Sequence, residues 1–253
     1  MIKFFRRIRQ RLLAENKVSR YLLYAIGEII LVVIGILIAL QINNWNEEKN
    51  ESKVELTYMQ NMLEDLEDDL SIYETVVSRN RVIYKLTDSI VMGIKKSDRR
   101  ENIRDLSFWV RDVTMQWLFV NPVERTFEQM KSSGHLRLIK DKDVADAISI
   151  YYSSLSVFNG YNDASMLWAA DYVKAVGKIF DGELMLKIMR ERKKQGAKPE
   201  DLLSEDPVVI NELISSLQYF NGAHTLIEEN CLKQAKKAQD LMDLISNKYA
   251  IND

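Results

Sequence analysis

At 253 residues, with 28% charged and 47% hydrophobic side chains, the chain has the composition of a folded protein of one or two domains and not of a disordered one. Three prolines and nine glycines permit long uninterrupted helices and disfavour a turn-rich β-architecture. One cysteine, Cys231, excludes an intrachain disulfide, and two histidines, His135 and His224, are too few and too far apart for a zinc motif. The net charge of −2 conceals an asymmetry: residues 1 to 20 carry seven basic side chains against Glu15 alone.

That tail places Lys3, Arg6, Arg7, Arg9 and Arg11 among Ile2, Phe5, Ile8 and Leu12, which recur at helical spacing. The pattern suits an amphipathic helix lying on an anionic membrane surface, with nucleic-acid binding as the disfavoured rival.

From Tyr21 to Ile42 the only ionisable acid or base is Glu28, and residues 29 to 38 are wholly apolar. At 1.5 Å per residue this segment spans about 33 Å, enough for a hydrocarbon core of about 30 Å. It is longer than the apolar region of a cleavable signal peptide and has no small-x-small site after it, so the expectation is a retained transmembrane helix. Basic residues crowd its N-terminal flank and glutamates its C-terminal flank, which predicts an N-terminus in the cytoplasm and the bulk of the chain outside. Tyr21, Tyr24 and Trp45 stand where interfacial aromatic anchors belong.

Glu28 is the one polar cost in this helix. A central charge costs on the order of 3 kcal/mol, while the Leu, Ile and Val residues between Leu22 and Leu40, at about −0.4 kcal/mol each, offset it with roughly −5 kcal/mol. Gly35, seven residues on, returns to nearly the same face, and Ala39 completes a small-x-x-x-small pair. Glu28, Gly35 and Ala39 are therefore expected to contact another transmembrane helix. Two other readings stay open: a protonated or snorkelling glutamate without a partner, and ion or proton conduction.

No glycine or proline occurs between Ile36 and Met92, so the membrane helix is expected to continue outward. Leu56, Met59, Leu63, Leu66, Leu70, Tyr73, Val77, Asn80 and Tyr84 alternate by three and four, a heptad seam. A second line at Met62, Val76, Ile83 and Ile90 widens it and favours a bundle over a dimeric coil. The acids Glu64, Asp65, Glu67, Asp68 and Asp69 are expected on a solvated face opposite the leucines.

A second helix, with Ile103, Leu106, Val110, Val113 and Trp117 on one side, should run to Asn121-Pro122. A short helix follows to Gly134, then an extended link from His135 to Ile139, with Asp141 capping the next helix. The remainder divides into a long helical run to about Gln195, bent at Asn159-Gly160 and Asp181-Gly182, and a last helix from Pro207 through Ile210, Leu213, Leu217, Phe220, Ile227, Leu241 and Ile245. Four principal helices of this kind predict an all-α, four-helix-bundle-like exoplasmic domain.

The segment Tyr21 to Asn46, with Ser132 to Lys140, resembles a family of single-pass membrane proteins from Bacteroidota that carries a domain of unknown function. The resemblance implies a Gram-negative inner membrane and a periplasmic domain, and no activity.

The expected organisation is thus a cytoplasmic tail over 1–20, a transmembrane helix over 21–42 and a periplasmic helical domain over 43–253. Neither histidine has a glutamate three residues before it, as a carboxylate-bridged metal site would need, and no phosphate-cradling or nucleophile-elbow motif occurs. No cofactor or metal is expected and an enzyme is disfavoured. The leading expectation is a membrane-anchored structural or interaction protein in contact with the bilayer and with itself or another membrane protein. The alternative is a periplasmic sensory or ligand-binding module that signals through a partner, since a tail of about 20 residues is too short for an output domain.

Overall fold

A computed structural model describes residues 18–117 and 119–251, and the side chains of those from 22 onward except Tyr24. Among these residues the chain is all-helical, its one β-like feature being an antiparallel bridge between Phe180 and Leu202. Seven α-helices follow in order: α1 (Val18–Ile94), α2 (Ile103–Met115), α3 (Arg125–Ser133), α4 (Lys142–Ser154), α5 (Val157–Gly177), α6 (Gly182–Glu191) and α7 (Pro207–Tyr249). Two compact units divide at Leu56 and Thr57.

Within the first unit the chain is helical from Val18 onward, and an apolar window long enough to cross a membrane begins at Ala25. None of that window is buried: Ile29, Leu31, Ile36, Leu37 and Ile42 all stand exposed. A helix apolar on every side has no single face to turn toward a core.

The second unit is built on α1 from Thr57 to Ile94 and on α7, the two long elements, with the shorter helices packed against them. The buried line on α1 is Met59, Met62, Leu66, Asp69, Tyr73, Val76, Asn80, Ile83, Thr87, Ile90 and Ile94, alternating by three and four. This corrects the expected seam. Met59, Leu66, Tyr73 and Asn80 belong to both lines and Val77 is also buried, but Leu56 is 37% exposed, Leu63, Leu70 and Tyr84 are half-buried, and the expected second line of Met62, Val76, Ile83 and Ile90 is buried throughout. Leu63 and Leu70 widen the stripe from its edge.

Two apolar clusters result. The first joins Met59, Leu66 and Tyr73 to α3, α4, the start of α5 and the C-terminal half of α7. The second joins Ile83, Ile90 and Ile94 to α2, the rest of α5, α6 and the N-terminal half of α7. Where one gives way to the other, Asn80 holds α7 directly: its Nδ2 donates to the His224 carbonyl at 2.8 Å, and its Oδ1 lies 3.1 Å from His224 Nδ1. His224 is thus a core residue, and burial lowers its pKa to about 4. Cys231 is likewise fully buried, its thiol pushed up to about 12 by burial.

The helix ends follow local chemistry. Asp141, Asp181 and Asp206 each accept a hydrogen bond from a backbone N–H of the helix they precede. Gly134 closes α3 in the left-handed region at φ 71°, where a Cβ would be strained. Gly93 serves close approach instead, since a Cβ there would lie 2.6 Å from Leu106 Cδ2.

Three expected boundaries move. Residues 135–138 form a 3₁₀ turn, with only Ile139 extended. Helix α2 ends at Met115, leaving Trp117 beyond it, because Val120 is held away from a helical path by both polar atoms of the Asn162 side chain. The break before α5 falls at Leu155-Ser156, and Asn159-Gly160 lies inside the helix. The cause is Gln234 of α7, whose Nε2 donates to the Ser154 carbonyl at 3.2 Å, while the Phe158 N–H donates to the Leu155 carbonyl three residues back.

Candidate functional site

The acidic run on α1 contains the sharpest departure from expectation. Glu64, Glu67 and Asp68 face solvent, whereas Asp65 and Asp69 are buried, Asp69 completely. Four residues apart on one helix, they share a face directed at the segment leading into α3. Burying two carboxylates is unfavourable unless each is met by donors, and the residues just before and within the first turn of α3 supply them.

Asp65 Oδ2 accepts from the Thr126 N–H at 2.8 Å, and its Oδ1 accepts from Arg125 Nε at 3.0 Å and Nη2 at 2.8 Å. Thr126 lies in the first turn of α3, whose N-cap, Glu124, makes no side-chain cap bond. Asp65 therefore caps α3 from another helix and complements the positive end of its dipole. Arg125 also reaches the exposed Asp68 at 2.8 Å.

Asp69 Oδ1 accepts from the Val123 N–H at 2.6 Å, and its Oδ2 accepts from the Tyr151 hydroxyl of α4 at 2.5 Å. The Tyr73 hydroxyl stands 3.2 Å from that of Tyr151. Since the single proton of Tyr151 points to Asp69, Tyr73 must be the donor, giving a chain from Tyr73 through Tyr151 to Asp69. Burial raises Asp69 to about 6 against the downward pull of the Tyr151 and Val123 hydrogen bonds, with Asp65 and Glu124 adding a smaller upward push. Burial also drives Tyr73, Tyr151 and Tyr152 upward, so all three hydroxyls stay protonated.

Next to this cluster lies a cavity of about 220 Å³ lined by Val120, Pro122, Glu124, Tyr152, Ser156 and Asn159. Tyr152 stacks on Phe127 at 4.3 Å, and its enclosed hydroxyl has no hydrogen-bond partner among the described residues. The arrangement stores one titratable proton and fixes the 120–126 segment onto α1. Among the described residues no group of three or more His, Cys, Asp or Glu side chains is placed to hold a metal.

The site residues expected from sequence lie elsewhere. Glu28, Gly35 and Ala39 lie on α1 within about 40° of one another at 100° per residue. A Cβ at Gly35 would meet nothing within 4 Å, so that face is open among the described residues. Glu28 is half-exposed beside a shallow recess with Ala25, Ile29, Val32 and Val33. Trp45 is 63% exposed, and Lys49 Nζ lies 5.4 Å from its ring centroid, a cation–π pair one turn on. Tyr21 and Tyr24 lie on α1, with their side chains outside the description. Lys3, Arg6, Arg7, Arg9 and Arg11 also fall outside the described residues.

A family model matches residues 28–162, just over half of the chain. The chain belongs to the DUF6090 family, a family of unknown function. The DUF6090 match runs from Glu28 on the apolar part of α1 to Asn162, the residue that clamps Val120, and it contains the whole Asp65, Asp69, Arg125 and Tyr151 cluster. No curated protein and no solved structure matches the chain. The cluster was missed in the sequence because acids in a charged run resemble a solvated face. The available signal was that Asp69 continues the line Met62, Val76, Ile83 and Ile90 at heptad spacing.

Proposed function

We propose that this DUF6090 chain is a membrane-anchored interaction subunit: α1 crosses the inner membrane with its N-terminus in the cytoplasm, and a bundle-like helical domain stands in the periplasm. The observation that supports the reading most is that the apolar window of α1 leaves every side chain unburied, in a helix that carries on without a break into the core of the second unit. The face of Glu28, Gly35 and Ala39, open at Gly35, then meets a transmembrane helix of a second copy or of another subunit, because small residues permit close approach. Insertion and orientation follow from an alkaline phosphatase fusion after Asp253, which should be active outside the cytoplasm. Activity of cytoplasmic reporters alone would overturn the orientation. For the interface, a cysteine at Gly35 in a Cys231→Ser background should crosslink to a partner more strongly than one at Val33. Equal crosslinking at both positions, or none at either, would remove the interface and leave the anchor.

A further inference from the structure

Outside the Asp65 and Asp69 cluster, the second apolar cluster carries a groove of about 530 Å³ between α2, α5 and α6. Its floor and walls come from Met166, Ala170, Val173 and Met189, with Arg111 and Trp117 at its edge. This volume lies within the roughly 300–1,000 Å³ common to small-molecule sites. Met166, Val173 and Met189 are all exposed here, an apolar surface left uncovered by the described residues.

Arg111 is the unusual member. Among the described residues no carboxylate pairs with it and its enclosed Nε has no hydrogen-bond partner, while its Nη2 contacts the thioether sulfur of Met189, a weak acceptor. The indole N–H of Trp117 is also enclosed without a partner among the described residues. Burial lowers the Arg111 pKa, which is the signature of a cation short of compensation. Elsewhere in this unit half-buried or exposed cations find acids: Arg100 with Glu205, Lys178 with Glu212, Lys194 with Asp105.

A single uncompensated guanidinium beside an indole donor, at the edge of a methionine-rich apolar groove, has the complementarity of one anionic head and one flexible tail. Arginine holds a carboxylate through two parallel N–H bonds, and methionines adapt to a chain of variable path. We infer that this groove binds an aliphatic monocarboxylate, its carboxylate on Arg111 and its hydrocarbon tail along Met166, Ala170, Val173 and Met189. The inference goes beyond the anchoring reading and does not depend on the pairing of α1.

The test uses the full chain in nanodiscs of zwitterionic lipid, titrated with carboxyl-¹³C decanoate and followed by NMR of the labelled carbon. Wild type should show one saturable site. Arg111→Gln should weaken it at least tenfold, Arg111→Lys should weaken it less, and decanol, with the same tail and no charge, should bind at least tenfold more weakly than decanoate. Ala170→Trp, at an exposed position on the groove wall, should abolish binding without altering the circular-dichroism melting curve, and it decides the matter if Arg111→Gln perturbs folding. The inference is overturned by absence of a saturable site, by equal binding of decanol, by retained binding in Ala170→Trp, or by an Arg111→Gln variant whose only change is in oligomeric size.

Discussion

Residues 25–42 and residues 59–94 belong to one uninterrupted helix and use apolar side chains in opposite ways. In the first stretch leucine, isoleucine and valine surround the axis and none is buried. In the second they recur every three or four residues, and Met59, Met62, Leu66, Ile83, Ile90 and Ile94 are fully buried. Apolar content alone does not separate core from anchor; its angular distribution does. The second stretch also admits polar residues to its deepest line, at Asp69, Asn80 and Thr87, and the first two are met by donors or acceptors on other elements. The first stretch holds one charged residue, Glu28.

The contrast can be broken most forcefully at Leu66. Leu66→Ala should destabilise the protein by about 2–5 kcal/mol, as truncation of a fully buried leucine does. A loss of less than half a kcal/mol in urea denaturation would deny that this stripe is a packed core.

A second test uses the proton on Asp69. The unfolded carboxyl titrates near 3.8 and the folded one near 6, so between these values the folded state binds more protons and stability must fall as pH rises. The contribution is fully present below about pH 4 and gone above about pH 6, with a total on the order of 3 kcal/mol. Urea midpoints of wild type should decline over this window relative to Asp69→Asn, which has no proton to lose. Parallel curves for the two proteins would mean that Asp69 is solvated.

A smaller effect should come from Asp65, where replacement by alanine leaves the Thr126 N–H without its acceptor at a cost of about 1–3 kcal/mol. Arg125→Ala should cost less than Asp65→Ala, because the arginine side chain is largely in solvent. The reverse order would make the ion pair, and not the cap on α3, the function of Asp65. Least of all should be lost at Leu56, where alanine should change stability by under about 0.5 kcal/mol, as expected of an exposed position.

The helical class, the continuity of α1, the cap at Asp141 and the start of α7 at Pro207 were legible because each depends on residues close in sequence. The deep line of α1 was half legible. Leucines at 56, 63 and 70 drew the seam toward themselves, while an aspartate at 69 and an asparagine at 80 concealed the true line, which is defined by donors and acceptors more than 50 residues away. Partners 42 and 80 residues away likewise hid the ends of α2 and α4, set by Asn162 and Gln234. Nothing local marks those side chains as partners. The groove at Arg111 was illegible for the same reason, since an arginine without an acid is recognised only when the surrounding helices are in place.

The central claim is that the unburied window of α1 lies in a bilayer. Its most direct measurement is the distribution of the full chain between membrane pellet and supernatant after an alkaline carbonate wash, which strips peripheral proteins and leaves those spanning the bilayer. The account predicts that the protein stays in the pellet and that Ile34→Arg with Leu37→Arg, which adds roughly 5–7 kcal/mol to the cost of insertion, releases it. Release of the wild-type chain into the supernatant would contradict it.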